Sequence, residues 1–401
     1  MDPRLEPLVS KNDSKLILLV ADGLGGIGTK ADRRTELEVA STPNLDQLAK
    51  ESSTGLLDPV GPGITPGSGA AHFALFGYNP IDNLIGRGVL EAAGIGVPMT
   101  DQSIAVRINF CTLDQHGHII DRRAGRLSSE DGQRICRLLG QRVTSIKGFR
   151  TQFFPVKEHR AVLLIEGADL GDAVNDTDPQ KMGVPPILPE GHDSRSAKTA
   201  AILIEVIHQA TALLRDEPRA NGLLLRGISA HRSYRSFQER YALNSYAIAS
   251  YPMYRGIASL VGMTIAPHTD DLEAEFKQLR AAYRDYDFFF VHYKQTDAAG
   301  EDGDFSAKVS AIERLDRLLP MVTDLHPDVL AITGDHSTPS RMKQHSWHPV
   351  PVLLNAETAR IDAVTAFNEQ ACLSGALGRF RAEDLMALML AHAGRISKFG
   401  A

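Results

Sequence analysis

The sequence predicts an α/β fold in which a parallel-sheet core carries an inserted smaller α/β domain. Three observations lead to this prediction. Short apolar runs lead into acidic residues, helical patterns follow these runs along the chain, and a more polar stretch interrupts the middle of the sequence. Strands that alternate with helices are typical of a parallel sheet whose two faces are covered by helices.

The apolar runs have the length and composition of buried parallel strands. The runs, each with the acid that follows it, are 15–21 with Asp22, 287–292 with Asp297, and 329–333 with Asp335. In sheets of this kind, ligands bind beyond the carboxyl ends of the strands. We therefore expect acids from three distant parts of the chain to meet at one edge of the sheet and to form a site there.

The polar middle of the chain is predicted to be the inserted domain. It carries two strand-like runs, 161–165 and 222–225, and a Gly-rich stretch at 86–96 separates it from the preceding sequence. The expected domains are 1–86 with 236–401 for the core and 87–235 for the insert. Helical patterns in the core are predicted at 41–50, 304–319 and 382–393.

The composition excludes several classes of protein. A chain of 401 residues that is 43% hydrophobic has enough apolar material for a buried core. Its net charge of -6 offers no general attraction to nucleic acid or to an anionic membrane, so an anionic substrate must be bound by local Arg, Lys or metal. No apolar run reaches the roughly 18 residues of a membrane span. We expect a cytoplasmic protein that binds neither nucleic acid nor membrane, as a monomer or small homo-oligomer.

The three cysteines, Cys111, Cys136 and Cys372, lie far apart and show no CxxC spacing. This pattern argues against a disulfide framework and against a cysteine metal site. Buried thiols in a reducing compartment are the expectation, which agrees with a cytoplasmic location.

Ser68 lies between two glycines at the expected start of a helix, in the stretch TPGSGAAH. A nucleophile at a helix N-terminus benefits from the helix dipole and from free backbone N–H groups that can bind a phosphoryl oxygen. A serine in this position can also be a simple N-cap. No GxSxG elbow is present, so a nucleophilic Ser68 needs another activator, and a metal ion would serve.

Two stretches carry candidate metal ligands. Asp335 and His336 offer an oxygen and a nitrogen from adjacent positions at a strand end, a combination that suits zinc, manganese or iron better than calcium. In the acidic segment 296–304, Asp297 and Glu301 are four residues apart and share a face if a helical turn forms. The same segment could instead be a calcium-like or merely solvated surface loop.

Several longer stretches show a family resemblance. In chain order they are ADGLGG (21–26), TPGSGAAHFALFGYNP (65–80), IGRG (85–88), DRRAGR (121–126), DTDP (176–179), LLLRG (223–227), YPMYRG (251–256), KQTDAAGEDGDFSAKVSAIERLD (294–316), GDHSTP (334–339) and HSWHPVPVLL (345–354). In order and coverage the chain resembles the archaeal type of cofactor-independent phosphoglycerate mutase, a branch of the alkaline-phosphatase superfamily. The resemblance implies an alkaline-phosphatase-like core and a reaction of glycolysis and gluconeogenesis.

The resemblance also implies two divalent metal ions in the core and no bisphosphoglycerate. One metal site would consist of Asp22, Ser68, Asp335 and His336, and the second of Asp297, Glu301 and His345. Ser68 would be transiently phosphorylated. Glu301 departs from the family, which usually carries a histidine ligand at this place. A glutamate can still ligate, and its harder oxygen favours manganese or magnesium over zinc. Mn²⁺ is therefore the expected ion, with Mg²⁺, Zn²⁺ and Co²⁺ also compatible.

The resemblance assigns substrate binding to five arginines, and the position of Lys294 just before Asp297 adds one lysine. Arginine suits a small phosphorylated carboxylic acid because its planar fork binds a carboxylate or a phosphate through two hydrogen bonds. Lys294 could neutralise charge that develops on the phosphoryl group or pair with an acid. The predicted substrate-binding residues are Arg123, Arg126, Arg160, Arg226, Arg255 and Lys294.

The leading functional hypothesis is the interconversion of 3-phosphoglycerate and 2-phosphoglycerate through a phosphoserine at Ser68. One alternative is a metal-dependent phosphatase, phosphonate hydrolase or mutase that acts on another small phosphorylated or phosphonylated acid, since a fold does not determine a substrate. A second alternative is a catalytically silent homologue that lost one ion through the change to Glu301. His72 and His292 are interpreted as packed core histidines, His292 with its hydrogen bonds satisfied.

Overall fold

The computed structural model describes residues 3–400, and the side chains of residues 6–400. The chain forms two compact units, which we call unit 1 (Met1–Leu84 with Arg235–Ala401) and unit 2 (Ile85–Tyr234). The assignment of metal binding to unit 1 and of substrate binding to unit 2 stays a prediction at this point.

The strands, in chain order, are β1 Leu16–Ala21, β2 Ser53–Asp58, β3 Ser103–Leu113, β4 Ile119–Asp121, β5 Ser145–Ile146, β6 Phe149–Lys157, β7 Arg160–Glu166, β8 Gly222–Ala230, β9 Ser245–Ala249, β10 Thr264–Ile265, β11 Phe288–Tyr293, β12 Val329–Thr333, β13 Val350–Ala356 and β14 Gly378–Arg381.

The α-helices are α1 Glu36–Val39, α2 Pro43–Ala49, α3 Ser68–Leu75, α4 Arg87–Gly94, α5 Ser129–Arg142, α6 Ser194–Leu213, α7 Phe237–Tyr241, α8 Pro252–Leu260, α9 Leu272–Ala282, α10 Gln295–Asp302, α11 Phe305–Leu318, α12 Pro320–Thr323, α13 Glu369–Cys372 and α14 Leu385–His392. Short 3-10 helices lie at Pro3–Leu8 and Ala382–Asp384. No helix in residues 3–400 is long and apolar enough to cross a membrane.

The sheet of unit 1 has the strand order β10-β9-β11-β1-β12-β13-β2-β14. The five strands from β10 to β12 in this order are parallel to one another, and β13 is antiparallel to both β12 and β2. The residues of β1, β11 and β12 are all buried because helices cover both faces, which is why these strands are almost wholly apolar. The predicted α/β fold with a parallel-dominated sheet is confirmed.

Unit 2 is built on a second sheet, with the order β4-β3-β7-β6-β5 and with β8 also paired to β3. Its described pairings are antiparallel. One face packs on α5 and α6 through Ile108, Phe110, Leu163 and Ile202. Because side chains alternate along a strand, Arg107 and Asn109 of β3 belong to the opposite face. This alternation decides which polar groups of unit 2 can meet.

The predicted elements agree with the structure to within a few residues at their ends. The three apolar runs are β1, β11 and β12, and the helices predicted at 41–50 and 304–319 are α2 and α11. The pattern at 382–393 is divided between a 3-10 helix and α14. The acidic segment forms helix α10, which ends at Gly303 in the left-handed conformation, with φ +77. Asp297 and Glu301 therefore do share one face of a helical turn.

Candidate active site

Three neighbouring strands bring the acidic residues of unit 1 together. β1 lies between β11 and β12, and all three run in the same direction. Asp22 follows the last residue of β1, Asp335 follows β12 by two residues, and Asp297 lies on α10 just after β11. The three carboxylates are 0% exposed. The parallel arrangement thus concentrates negative charge at one buried edge of the sheet, as the strand ends predicted.

Asp22, Asp335 and His336 form the first group that could hold a metal ion, with ligand atoms within 4.8 Å of one another. His336 Nε2 lies 3.3 Å from Asp22 Oδ1 and 3.2 Å from Asp335 Oδ2. Neither of these two buried oxygen atoms has a hydrogen-bond partner. Unsatisfied buried carboxylate oxygens are costly, and a cation between them would satisfy both. This donor set therefore fits a divalent ion.

The two carboxylates of this group titrate differently. Burial and the adjacent Asp22 carboxylate raise the pKa of Asp335 well above its usual value. Burial also acts on Asp22, but the nearby His292 and the charge of Lys294 outweigh it and hold the pKa of Asp22 well below its usual value. Burial lowers the pKa of His336, which keeps its imidazole neutral and able to ligate a metal.

Asp297, His336 and His345 form the second group. His345 Nε2 lies 3.7 Å from Asp297 Oδ1, and its other ring nitrogen, Nδ1, is 3.0 Å from the carbonyl oxygen of Pro66. Because a carbonyl only accepts, Nδ1 donates the hydrogen bond, and in the neutral imidazole this leaves the Nε2 lone pair available to a metal ion beside Asp297. The contact to Pro66 also ties His345 to the loop that precedes Ser68.

Glu301 stands at the margin of the second group. Its Oε1 lies 3.8 Å from His345 Nε2, and its side chain is 53% exposed. Burial and the charge of Asp297 raise the pKa of Glu301. It belongs to neither group as defined by mutual distances, so its role as a ligand stays a prediction.

Ser68 is the first residue of α3, and Gly67 is the N-cap. The alternative that Ser68 is itself the N-cap is therefore wrong. Gly67 offers no side-chain cap, so the first N–H groups of α3 keep no side-chain partner at the cap. Ser68 Oγ lies 3.4 Å from His336 Nε2, next to the first group. The hydroxyl thus lies where a metal-assisted nucleophile is needed and where backbone donors can bind an oxyanion.

Lys294 connects the two groups. Its Nζ is 3.0 Å from Asp22 Oδ2 and is hydrogen-bonded to Asp297 Oδ2. Although burial opposes it, the two carboxylates raise the pKa of Lys294 above its ordinary value, so the side chain stays charged. The sequence left open whether Lys294 pairs with an acid, and here it pairs with two.

A buried layer beneath the first group was not recognised from the sequence. Tyr254 donates a hydrogen bond to Asp22 Oδ2 and its ring stacks on His292, with centroids 3.7 Å apart. His292 Nε2 lies 3.3 Å from Asp22 Oδ2, yet neither ring nitrogen of His292 has a well-formed hydrogen bond. His292 is therefore buried in the core, as expected, but its hydrogen bonds are not fully satisfied. His72 does pack against β11, through Phe290 and His292.

His72 also contacts the backbone of Ser68 at the start of α3. Its Nδ1 lies 2.8 Å from the carbonyl oxygen of Ser68, and burial lowers the pKa of His72 to about 3. The imidazole is therefore neutral and donates to that carbonyl. The spacing of four residues on α3 was the available sequence signal, since residues i and i+4 share a face of a helix.

In unit 2, the arginines cluster on the face of the sheet opposite α5 and α6. Arg226 of β8 is directly opposite Arg107 of β3, and Arg160 of β7 is directly opposite Asn109.

Burial lowers the pKa of Arg107, and the charges of Arg87, Arg160 and Arg226 act in the same direction. The acidic partners are Glu91, 3.2 Å from Arg107, and Asp176 and Asp178 beside Arg226. Sequence reasoning identified Arg160 and Arg226 but missed Arg87 and Arg107.

The other predicted arginines lie elsewhere. Arg123 and Arg126 are exposed on a turn whose backbone is held by the Asp121 carboxylate, which accepts from the N–H groups of Arg123 and Gly125. Arg255 belongs to unit 1 and donates to the carbonyl oxygens of Ala249 and Ala266, at 3.2 and 2.9 Å. Its guanidinium thus connects β9 to the segment after β10, and its role in substrate binding stays a prediction.

A parallel α/β core with two carboxylate–histidine groups beside a serine at a helix N-terminus is typical of metal-dependent phosphoryl-transfer enzymes. A model of the family described as 2,3-bisphosphoglycerate-independent phosphoglycerate mutase matches residues 49–220. Probable mutases of this name from Thermus thermophilus and Thermotoga neapolitana are 48% and 50% identical to this chain, over 100% and 98% of its length and 99% and 98% of theirs. The chain belongs to the 2,3-bisphosphoglycerate-independent phosphoglycerate mutase family.

Solved structures agree with this assignment. The PH0037 protein from Pyrococcus horikoshii is similar with a TM-score of 0.83 and 30% identity, over 98% of this chain and 100% of that one. The cofactor-independent phosphoglycerate mutase from Thermoplasma acidophilum is similar with a TM-score of 0.71 and 27% identity, over 95% of this chain and 100% of that one. The family consists of metal-dependent isomerases, and the predicted family and enzyme class are confirmed.

Proposed function

We propose that this protein interconverts 3-phosphoglycerate and 2-phosphoglycerate through a phosphoserine at Ser68, without a bisphosphoglycerate cofactor. The observation that carries the proposal is the position of Ser68 Oγ, 3.4 Å from His336 Nε2 and beside two buried carboxylate oxygens that lack partners. This arrangement combines a nucleophile, a site for a cation and backbone donors for an oxyanion within one unit.

The residues that would hold the first ion are Asp22, Ser68, Asp335 and His336, and those that would hold the second are Asp297, Glu301 and His345. When bound, two divalent ions would lower the pKa of the Ser68 hydroxyl and offset the negative charge of the phosphoryl oxygens. Mn²⁺ is the ion we propose, because carboxylates predominate among the ligands and Glu301 adds another oxygen donor.

The chain's own residues account for the rest of the phosphoryl transfer. Ser68 Oγ attacks phosphorus, the bond from phosphorus to the glycerate oxygen breaks, and that oxygen gains a proton as the serine loses one. The N-terminal N–H groups of α3 bind a phosphoryl oxygen. Lys294, charged and directed at the two groups, compensates negative charge that builds up during the transfer. Reversal of these steps with the other hydroxyl of glycerate completes the isomerisation.

Glycerate must stay bound between the two transfers, since its loss would turn a mutase into a phosphatase. We assign recognition of its carboxylate to the arginine cluster of unit 2, where Arg107, Arg160 and Arg226 share one face of the sheet. Arginine binds a carboxylate in a planar, bidentate way, which also allows the rest of the molecule to reorient. Arg123 and Arg126, on their exposed turn, are proposed as further contacts to the substrate.

The test follows 3-phosphoglycerate by phosphorus NMR with Mn²⁺ and without added bisphosphoglycerate, for the wild type, Ser68→Ala and the exposed-site control Ser41→Ala. We expect 2-phosphoglycerate from the wild type and the control, and a loss of at least about a thousandfold in Ser68→Ala, as for other covalent nucleophiles. Free phosphate from the wild type would support a phosphatase instead. No turnover by a wild type that binds Mn²⁺ would support a silent homologue.

A further inference from the structure

Thr338 lies two residues after His336 and is 0% exposed. Its hydroxyl oxygen is 2.6 Å from Asp297 Oδ1 and 2.9 Å from His336 Nδ1. One short side chain therefore touches a residue of each metal-binding group, although sequence reasoning gave it no role.

The direction of these two hydrogen bonds follows from counting protons. A threonine hydroxyl carries one proton, and a carboxylate oxygen can only accept. The shorter contact, 2.6 Å, is that of a hydroxyl that donates to a carboxylate. The Thr338 oxygen is then left to accept from His336, so Nδ1 of His336 must carry a proton. A neutral imidazole has only one N–H, and Nε2 therefore presents its lone pair.

The position of the hydroxyl is enforced by packing. The Thr338 N–H donates to the carbonyl oxygen of Gly25 at 3.0 Å, and its own carbonyl oxygen accepts from Lys308 Nζ at 2.8 Å. The methyl group lies against Gly300, where an added Cβ would be 2.9 Å from it. A β-branched side chain is restricted at χ1, and these contacts further limit how far the hydroxyl can turn away from Asp297 and His336.

We propose that Thr338 is a positioning residue that holds His336 in the Nδ1–H tautomer and so directs the Nε2 lone pair to a divalent ion shared with Asp22 and Asp335. The proposal rests on the metal binding contained in the proposed function. It assigns His336 to the first group, because a protonated Nδ1 cannot ligate. The second group is left with Asp297, His345 and, at its margin, Glu301. The same hydroxyl also orients the Asp297 carboxylate of that group.

The experiment titrates the metal-free protein with Mn²⁺ and measures free Mn²⁺ by electron paramagnetic resonance, for the wild type, Thr338→Val and Thr338→Ser. Valine keeps the shape and removes the hydroxyl, whereas serine keeps the hydroxyl. We expect Thr338→Val to lose about 10- to 100-fold in Mn²⁺ affinity, as when other partners of ligand side chains are removed, and Thr338→Ser to recover most of it. Wild-type affinity in folded Thr338→Val would overturn the proposal, as would a Thr338→Ser variant as weak as valine.

A second measurement needs no change at Thr338. Long-range proton–nitrogen NMR spectra of metal-free protein labelled in histidine distinguish the two neutral tautomers, and the His336 signal can be assigned by its loss in His336→Gln. We expect the Nδ1–H form, and the Nε2–H form would overturn the proposal even if Thr338→Val does not fold. Failure of the proposed function would look different: the wild type would bind Mn²⁺ with the expected tautomer and yet produce no 2-phosphoglycerate.

Discussion

At the scale of single residues, burial makes a carboxyl group a weaker acid where no cation compensates it. Glu275 on α9 is only 3% exposed, and the acids near it are Asp271 and Asp270. Burial, with a smaller contribution from these two charges, raises the pKa of Glu275 to about 8. Glu275 is therefore protonated in the folded protein at neutral pH.

This shift predicts a pH-dependent stability. Between the ordinary value of 4.5 and about 8, the folded state binds more protons than the unfolded state, so the free energy of unfolding falls as the pH rises through that window. Glu275→Gln should remove this fall and make the protein more stable than the wild type at pH 8, by up to roughly 4 kcal/mol. Urea unfolding at pH 5 and pH 8 measures both values.

The control for this prediction is Glu273→Gln on the same helix. The Glu273 side chain is 48% exposed and pairs with Lys277 at 2.7 Å. An exposed ion pair contributes less than about 1 kcal/mol, so the control should keep the pH dependence of the wild type. A Glu275→Gln protein whose stability still falls between pH 5 and pH 8 as in the wild type would contradict the prediction.

At the scale of elements, α10 must lie close to the strand ends to deliver Asp297, and a glycine makes this possible. A Cβ added to Gly300 of α10 would lie 2.3 Å from the backbone oxygen of Thr338. Backbone cannot yield as a flexible side chain does, so the helix itself would have to move. Gly140 of α5 is also a helical glycine, but a Cβ there would meet nothing within 4 Å.

The two glycines form a matched pair for mutation. Gly300→Ala should lower the free energy of unfolding by about 1–3 kcal/mol and weaken Mn²⁺ binding, because α10 carries Asp297 and Glu301. Gly140→Ala should instead raise stability by about 0.5–1 kcal/mol, since alanine loses less conformational entropy in a helix. Chemical unfolding and Mn²⁺ titration measure these effects, and equal effects of the two changes would refute the argument from close packing.

At the scale of the whole molecule, the fold of the parallel core buries unsatisfied carboxylate oxygens, which lowers its stability, and a bound ion would offset this loss. The oxygen atoms Asp22 Oδ1 and Asp335 Oδ2 are buried without hydrogen-bond partners. A ligand that binds only the folded state stabilises it in proportion to the logarithm of its concentration. Removal of the metal ion should therefore lower the free energy of unfolding of the protein.

We accordingly expect chelation to lower the temperature at which unit 1 unfolds, and Mn²⁺ at a hundred times its dissociation constant to restore about 2.7 kcal/mol. Asp335→Asn should remove the contribution of the first group to this gain. The metal-free variant should be at least as stable as the metal-free wild type, because a neutral amide replaces a carboxyl group whose charged form is disfavoured by burial and by Asp22. Calorimetry measures these transitions, with the exposed Asp324→Asn as control. A metal-dependent gain as large in Asp335→Asn as in the wild type would contradict this assignment.

Local sequence patterns predicted the α/β class, the strands β1, β11 and β12, and the family, because strand composition and motif order are properties that the chain carries without folding. They also indicated Asp22, Asp335 and Asp297, since each lies within four residues of a strand end. The groups that meet across the sheets could be identified from the folded chain alone. Arg107 joins Arg226 through strand register, and His292 and Tyr254 meet Asp22 from distant elements. Register and side-chain direction depend on packing between segments far apart in sequence, and no local pattern encodes them.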